Sequence, residues 1–126
     1  MLTPRQISKE QLKENFDLDN PYDTLESFLH GGCEIFAYVL HINFDYPIFC
    51  LKKGVSYHFY CRYEDLYIDV RGKMVFTEFI KEFPELRYAQ EEMVDLGIEK
   101  IKKNEKFYLG LGVADQILDQ YTDYYS

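Results

Sequence analysis

Three side chains that together can carry acyl-transfer chemistry occur in order along the chain: a thiol at Cys33, an imidazole at His58 and a carboxylate at Asp69. The thiol lies in the run HGGCEIFAYVL, His30 to Leu40, where two glycines precede the cysteine. Cys33, Phe36, Ala37 and Leu40 follow i, i+3, i+4, i+7 spacing, which predicts a helix opening at Cys33 and closing near Asn43. A cysteine in the first turn of a helix faces the positive end of the helix dipole. With an imidazolium nearby, that lowers the thiol pKa and raises the thiolate fraction. The glycines permit turns that other residues resist and leave the sulfur uncrowded. First-turn amides lack a carbonyl partner, so the Cys33 backbone N–H is the expected oxyanion donor. Cys33 reads as a nucleophile.

The base comes from a segment of different period. Val55 to Arg62 alternates, with Val55, Tyr57, Phe59 and Cys61 on one face and Ser56, His58, Tyr60 and Arg62 on the other. Leu66 to Arg71 alternates again, Leu66, Ile68 and Val70 against Tyr67, Asp69 and Arg71. Two such runs around Tyr63-Glu64-Asp65 predict a hairpin closed by Gly72. Setting Phe59 opposite Ile68 also sets His58 opposite Asp69, on the polar face of the sheet. Directly paired residues have Cβ atoms about 4.5–5.5 Å apart, within reach of an imidazole–carboxylate hydrogen bond. His58 then serves as base and Asp69 orients it. Aspartate is disfavoured in strands, which hints at a specific task; its plainer role is an ion pair with Arg62 or Arg71. His30, close to Cys33 in sequence, is a rival base. Cys50 and Cys61 occupy apolar strand positions and read as packing. Three cysteines without CxxC spacing do not make a structural zinc site. No metal or cofactor is expected.

The remaining elements must hold these residues. Gln6 to Phe16 suits an amphipathic helix with Ile7, Leu12 and Phe16 inward, broken by Asn20-Pro21. Asp23 or Thr24 caps a short helix to Leu29, which Gly31-Gly32 ends. Tyr46 to Leu51 is a short apolar run, and Lys52-Lys53-Gly54 a turn. Val75 to Phe83 is a helix stopped by Pro84, and Tyr88 to Lys103 a polar helix with Gly97 inside it. Phe107 to Gly112 is an apolar segment punctuated by glycine. Val113 to Tyr124 is a final helix with Ile117, Leu118 and Tyr121 inward. The expected fold is α+β. N-terminal helices, including the one bearing the nucleophile, pack on a small antiparallel sheet of about three strands, followed by C-terminal helices. Residues 1–126 form one domain.

Composition narrows the partners. Hydrophobic residues make up 47% of the 126, enough to exclude a disordered chain. The formal charge of −8 disfavours direct nucleic-acid binding, which needs cations to displace counterions from phosphates. No apolar run approaches the length of a membrane span, and the polar stretch MLTPRQISKEQLKENF does not read as a leader. A reducing, cytoplasmic location is expected. The chain holds 12 Tyr and 10 Phe, which build either a packed core or a contact surface. Asp115, Asp119 and Asp123 form an acidic stripe at i, i+4, i+8, suited to solubility or to docking a basic host protein.

The order of a GGC helix, a strand with histidine, a turn and a strand with aspartate resembles the core of the papain-like and transglutaminase-like cysteine enzyme superfamily. The matching residues are Gly31-Gly32-Cys33-Glu34-Ile35-Phe36-Ala37, Tyr57-His58-Phe59 and Tyr67-Ile68-Asp69-Val70-Arg71-Gly72. The pattern is most similar to that of small phage and prophage proteins carrying GGC…H…YIDV.G. The resemblance spans Phe28 to Gly72 and implies nucleophile, base and orienting roles for Cys33, His58 and Asp69. Papain-like enzymes place an oxyanion glutamine a few residues before the cysteine. Here Ser27 stands six residues earlier and Gln11 is far upstream, leaving Asn20 or Tyr22 as the second donor. The expected activity is hydrolysis or acyl transfer on an amide or ester of a protein or peptide. The alternative is a mobile-element inhibitor that binds a host protein through an acidic, tyrosine-rich surface.

Overall fold

The computed structural model describes residues 2–15, 24–104 and 107–126. Among these, six strands form one antiparallel sheet in the order β1-β5-β4-β3-β2-β6. Around it pack helices from both halves of the chain, so the α+β class holds. The sheet has twice the strands that sequence periodicity predicts, and the extra ones are short or at its edges. They are β1 (Arg5–Gln6), β5 (Gly72–Met74) and β6 (Gln90–Val94).

At the N-terminus, Gln6 belongs to β1, not to a helix, because its partner across the ladder is Gly72. The helix α1 (Lys9–Asn15) starts later, at a reciprocal cap. The Ser8 amide donates to Gln11 Oε1 at 3.0 Å and the Gln11 amide to Ser8 Oγ at 3.1 Å. Phe16, the Asn20-Pro21 break and Asp23 lie outside the described residues; Thr24 opens α2 (Thr24–Leu29). Gly31, at φ +100°, then redirects the chain into α3 (Cys33–Phe44), the helix predicted from the HGGC run.

The central hairpin joins β3 (Ser56–Tyr63) to β4 (Leu66–Asp69), and β2 (Ile48–Lys53) flanks β3. The β3–β4 register sets Cys61, not Phe59, opposite Ile68. A two-residue shift preserves which side chains share a face, so the apolar pattern cannot choose between these registers. The turn chooses. It falls on Glu64-Asp65 with Glu64 at φ +55°, whereas the other register would place bulky Tyr63 in the turn. His58 and Asp69 are therefore diagonal neighbours.

Both faces of the sheet are covered. On one, α3 lies over Cys61, whose Sγ is 3.3 Å from the Ala37 carbonyl, and α6 (Phe107–Gln120) backs α3. The other carries His58, Tyr60, Tyr67 and Asp69. It is closed by α4 (Phe76–Phe79) and two 3-10 turns, Ile80–Glu82 and Pro84–Leu86. Phe79 packs on Tyr60 and Tyr67 with ring centroids 4.8 and 4.9 Å away. The face read as polar from sequence is therefore buried.

Three further expectations change. Tyr88 to Lys103 is not one helix: β6 pairs with β2, and Gly97 caps α5 (Ile98–Ile101) instead of sitting within a helix. Phe107 to Gln120 is continuous helix through Gly110 and Gly112. Asp123 falls on the separate α7 (Thr122–Tyr125), so the acidic stripe is broken after Asp119.

Gly72 marks the tightest approach. It has φ +109°, and a Cβ there would sit 2.2 Å from the Arg5 carbonyl oxygen. Gly72→Ala is expected to cost about 2 kcal/mol or more through strain and displacement of β1. Urea unfolding checks this; a loss under about 0.5 kcal/mol, the usual range of neutral surface changes, would overturn it.

Candidate active site

Cys33 occupies the first position of α3, after Gly32 as N-cap. The Gly32 carbonyl accepts from the Ile35 and Phe36 amides at 3.1 and 3.4 Å, so the helix is hydrogen-bonded from its first turn. The sulfur accepts from the Phe59 amide of β3 at 3.5 Å. β4 ends its ladder with β3 at Cys61, two residues short of Phe59. The thiol thus substitutes for a missing strand acceptor. The Glu34 amide also bears on it.

The thiol is not activated as the helix start predicts. Cys33 is 3% exposed, and burial pushes it from 9.0 up to about 12. The Phe59 amide opposes the shift, and the Glu34 carboxylate adds to it. Magnitudes decide the outcome. A helix end favours a nearby charge by roughly 0.3–1 kcal/mol. A rise from 9.0 to about 12 corresponds to about 4 kcal/mol against the thiolate. Burial wins, and the thiol is protonated at neutral pH.

His58 is completely buried, its ring stacked on Phe83 with centroids 4.1 Å apart. Its Nε2 is 3.0 Å from Asp69 Oδ2. The diagonal placement still allows this contact because long side chains reach across such pairs. Of the two arginines considered, Arg71 is Asp69's partner; Arg62 pairs with Glu91. Arg71 donates from Nη2 to Oδ2 at 2.6 Å, from Nε to Oδ1 at 3.0 Å and from its backbone amide to Oδ1 at 2.9 Å. Its Nη1 donates to the Phe79 carbonyl at 3.0 Å.

Burial alone would raise the Asp69 carboxyl. The Arg71 charge and the His58 hydrogen bond outweigh it and hold Asp69 well below the usual carboxylate range. Burial lowers the pKa of His58, and the Asp69 hydrogen bond and charge offset this only in part. The imidazole is thus neutral beside an ionised carboxylate. Only the Nε2–H tautomer can donate to Asp69, which leaves Nδ1 as a bare acceptor. Nδ1 has no hydrogen-bond partner, alone among the buried side-chain polar atoms of the described residues.

His58 and Asp69 therefore meet, and Cys33 rests on the residue next to His58 without hydrogen bonding to the imidazole. The parity of β3 turns the ring toward Phe79 and Phe83, away from α3. His30 is half-exposed, 3.5 Å from Glu82 and 3.9 Å from Glu26, and does not hydrogen bond to the thiol. Cys50 and Cys61 are buried. Asn20 and Tyr22 lie outside the described residues. Sequence reasoning treated Arg71 as one of two ion partners and missed Phe83; the first has a signal in the Asp69-Val70-Arg71 spacing, the second has none. Among the described residues no group of three or more His, Cys, Asp or Glu is placed to hold a metal, and no helix is long and apolar enough to cross a membrane.

Compared with known protein families, curated proteins and solved structures, the chain finds no match.

Two outcomes follow from the buried network. His58 has a lower pKa folded than unfolded, so the unfolded chain binds a proton first as pH falls. Stability is full above the ordinary histidine value of about 6.5 and declines as pH drops from there toward the lower folded value. Asp69, depressed in the fold, adds a second loss as pH falls below about 4. Urea midpoints against pH should show the first decline, and His58→Gln should flatten it; an unchanged slope in His58→Gln refutes the assignment. Separately, Arg71→Met leaves Asp69 a buried charge without its cation and is expected to cost about 3–5 kcal/mol. A midpoint shift below about 1 kcal/mol would show that the carboxylate does not depend on Arg71.

Proposed function

We propose that this chain is a thiol-dependent hydrolase or acyl transferase acting on an amide or ester of a protein or peptide. Cys33 is the nucleophile, His58 the base and Asp69 the group that orients it. One observation carries the reading: a wholly buried histidine has one nitrogen fixed by an ionised aspartate and the other unpaired, next to the amide that holds a helix-start thiol. An orphaned buried polar atom calls for an explanation, and a proton to be received is one.

Because the resting thiol is protonated, the proposed attack is a general-base step. His58 Nδ1 takes the Cys33 proton as Sγ bonds to the carbonyl carbon, and the carbonyl electron pair moves to oxygen beside the first-turn amides of α3. Collapse of the adduct expels the amine or alcohol, which takes the proton from the imidazolium. Water or an amine then resolves the thioester. Before attack, Sγ must leave the Phe59 amide, the Phe83 ring must turn from the imidazole, and β3 must shift so that the ring, on the face away from α3, reaches the sulfur.

A second reading has its own support. Sγ and Nδ1 do not meet, while Tyr57, Tyr63, Tyr88 and Met93 are exposed on a chain of charge −8. On that reading the protein is a mobile-element inhibitor that binds a basic host protein and does no chemistry.

An activated ester separates them. With p-nitrophenyl acetate, peptide mapping should find the acetyl group on Cys33 ahead of Cys50 and Cys61, with a burst of nitrophenolate. Cys33→Ala should abolish turnover, and His58→Ala should reduce it by about 10²–10⁴-fold. Even acetylation of the three thiols, or full turnover in Cys33→Ala, would leave the binding reading in its place.

A further inference from the structure

The turn that carries Cys33 lacks the side chain that usually fixes a helix start. Its N-cap is Gly32, which has nothing to offer the first-turn amides. Gly31 before it stands at φ +100°. Two glycines in succession leave this backbone unusually free. A nucleophile mounted on it needs support from elsewhere, because small displacements of a reacting atom are costly.

Asn104, between α5 and α6, supplies that support. Its Nδ2 donates to the Gly31 carbonyl at 2.9 Å and to Glu34 Oε1 at 2.6 Å. Both partners only accept, so the amino group is the end of the side chain that must face them. One nitrogen thus bridges the residues on either side of the Gly32-Cys33 step. Asn104 is itself anchored: its amide donates to the Ile101 carbonyl and its carbonyl accepts from the Phe107 amide, both at 3.0 Å. Gly31 and Cys33 line a pocket of ≈ 250 Å³ at the end of the sheet, and Asn104 stays outside it.

We propose that Asn104 is the positioning residue of the nucleophile turn. It holds the Cys33 backbone through the carbonyl two residues before it and the carboxylate one residue after it. Its bearing on catalysis rests on the thiol-enzyme reading; the clamp itself can be read without turnover. Because the clamp acts on the frame of the turn, Sγ keeps its freedom to leave the Phe59 amide by rotation about Cα–Cβ. Clearing the sulfur and loosening the turn are therefore different events. The first favours attack, and the second spoils its geometry.

Hydrogen exchange of the Phe59 amide reads the clamp directly, because the Cys33 sulfur is the acceptor of that amide. Asn104→Ala should speed its exchange about 5-fold or more, the equivalent of one hydrogen bond lost to the turn. The amides of Cys61 and Ile68, which face each other in the central ladder, should not change. Asn104→Asp keeps the shape, cannot donate when ionised and sets a like charge beside Glu34, so it should do the same or more. Adding Glu34→Gln to Asn104→Asp returns a donor to that pair and should recover part of the protection. With p-nitrophenyl acetate, Asn104→Ala should lower kcat about 10-fold or more and leave KM within about two-fold.

Unchanged Phe59 exchange in both single variants overturns the proposal. So does an equal rise at Cys61 and Ile68, which would make Asn104 a support of the whole fold. So does a kcat that holds or rises, the result of freeing the sulfur alone. Selective loss of Phe59 protection in a protein whose wild type turns over no ester would sink the enzyme reading and leave a clamp with no part in catalysis.

Discussion

The structure depends on keeping one charge inside it. Asp69 is 3% exposed on a sheet face closed by aromatic rings, where an uncompensated carboxylate would cost several kcal/mol. Arg71 supplies the compensation, and in doing so it fixes more than the charge. Its amide and guanidinium hold Asp69, its carbonyl accepts the Ile7 amide at 2.9 Å just after β1, and its Nη1 holds the end of α4 through Phe79. One residue in the β4–β5 turn thus ties together the edge of the sheet, its buried ion and the segment that covers it. That segment carries Phe79 and Phe83, the rings that enclose His58. The neutral tautomer of His58 and its exclusion from water have the same origin.

At Cys33 two general tendencies compete. A helix start favours thiolate, and burial opposes it; the strand amide of Phe59 supports the sulfur but does not reverse the balance. The imidazole is in a parallel situation, since burial lowers its pKa against the pull of Asp69. Both shifts act against charge separation. A preformed thiolate–imidazolium pair is unfavourable here, and any transfer from Sγ to Nδ1 has to coincide with bond formation at sulfur.

What could be read in advance divides along physical lines. Features set by local periodicity were legible: the start of α3 at Cys33, the alternation of β3 and β4, and the shared face of His58 and Asp69. Features set by partners distant in sequence were not. Gln90 to Val94 has a polar composition compatible with a helix, and only pairing with β2 makes it a strand. Gln6 joins the sheet because Gly72 lets the backbones approach. The face holding His58 looked solvent-facing because Tyr, His, Asp and Arg alternate on it, yet the phenylalanines that bury it come from a later segment. The His58–Asp69 contact was anticipated from a register two residues off. It survives because parity, rather than direct opposition, decides which side chains can touch.

For the proposed chemistry, the question is how far the resting arrangement lies from one in which sulfur and imidazole meet. Sγ sits on the Phe59 amide, in line with the ladder, while the His58 ring leaves the preceding residue on one face. Joining them requires the loss of one amide–sulfur hydrogen bond and one ring stack, and also a shift of β3, because the ring lies on the face away from α3. Leaving a buried amide unpaired costs about 1–3 kcal/mol, and an aromatic pair is worth about 0.5–1.5 kcal/mol beyond its buried area. Together these come to about 1.5–4.5 kcal/mol before any shift of β3, which caps the population at roughly 0.05–8%. A minor state of that size lowers an observed rate by the same fraction and still permits turnover. Phe83 both stacks on the imidazole and lines a pocket beside the thiol. A substrate side chain entering that pocket meets the same ring that must move.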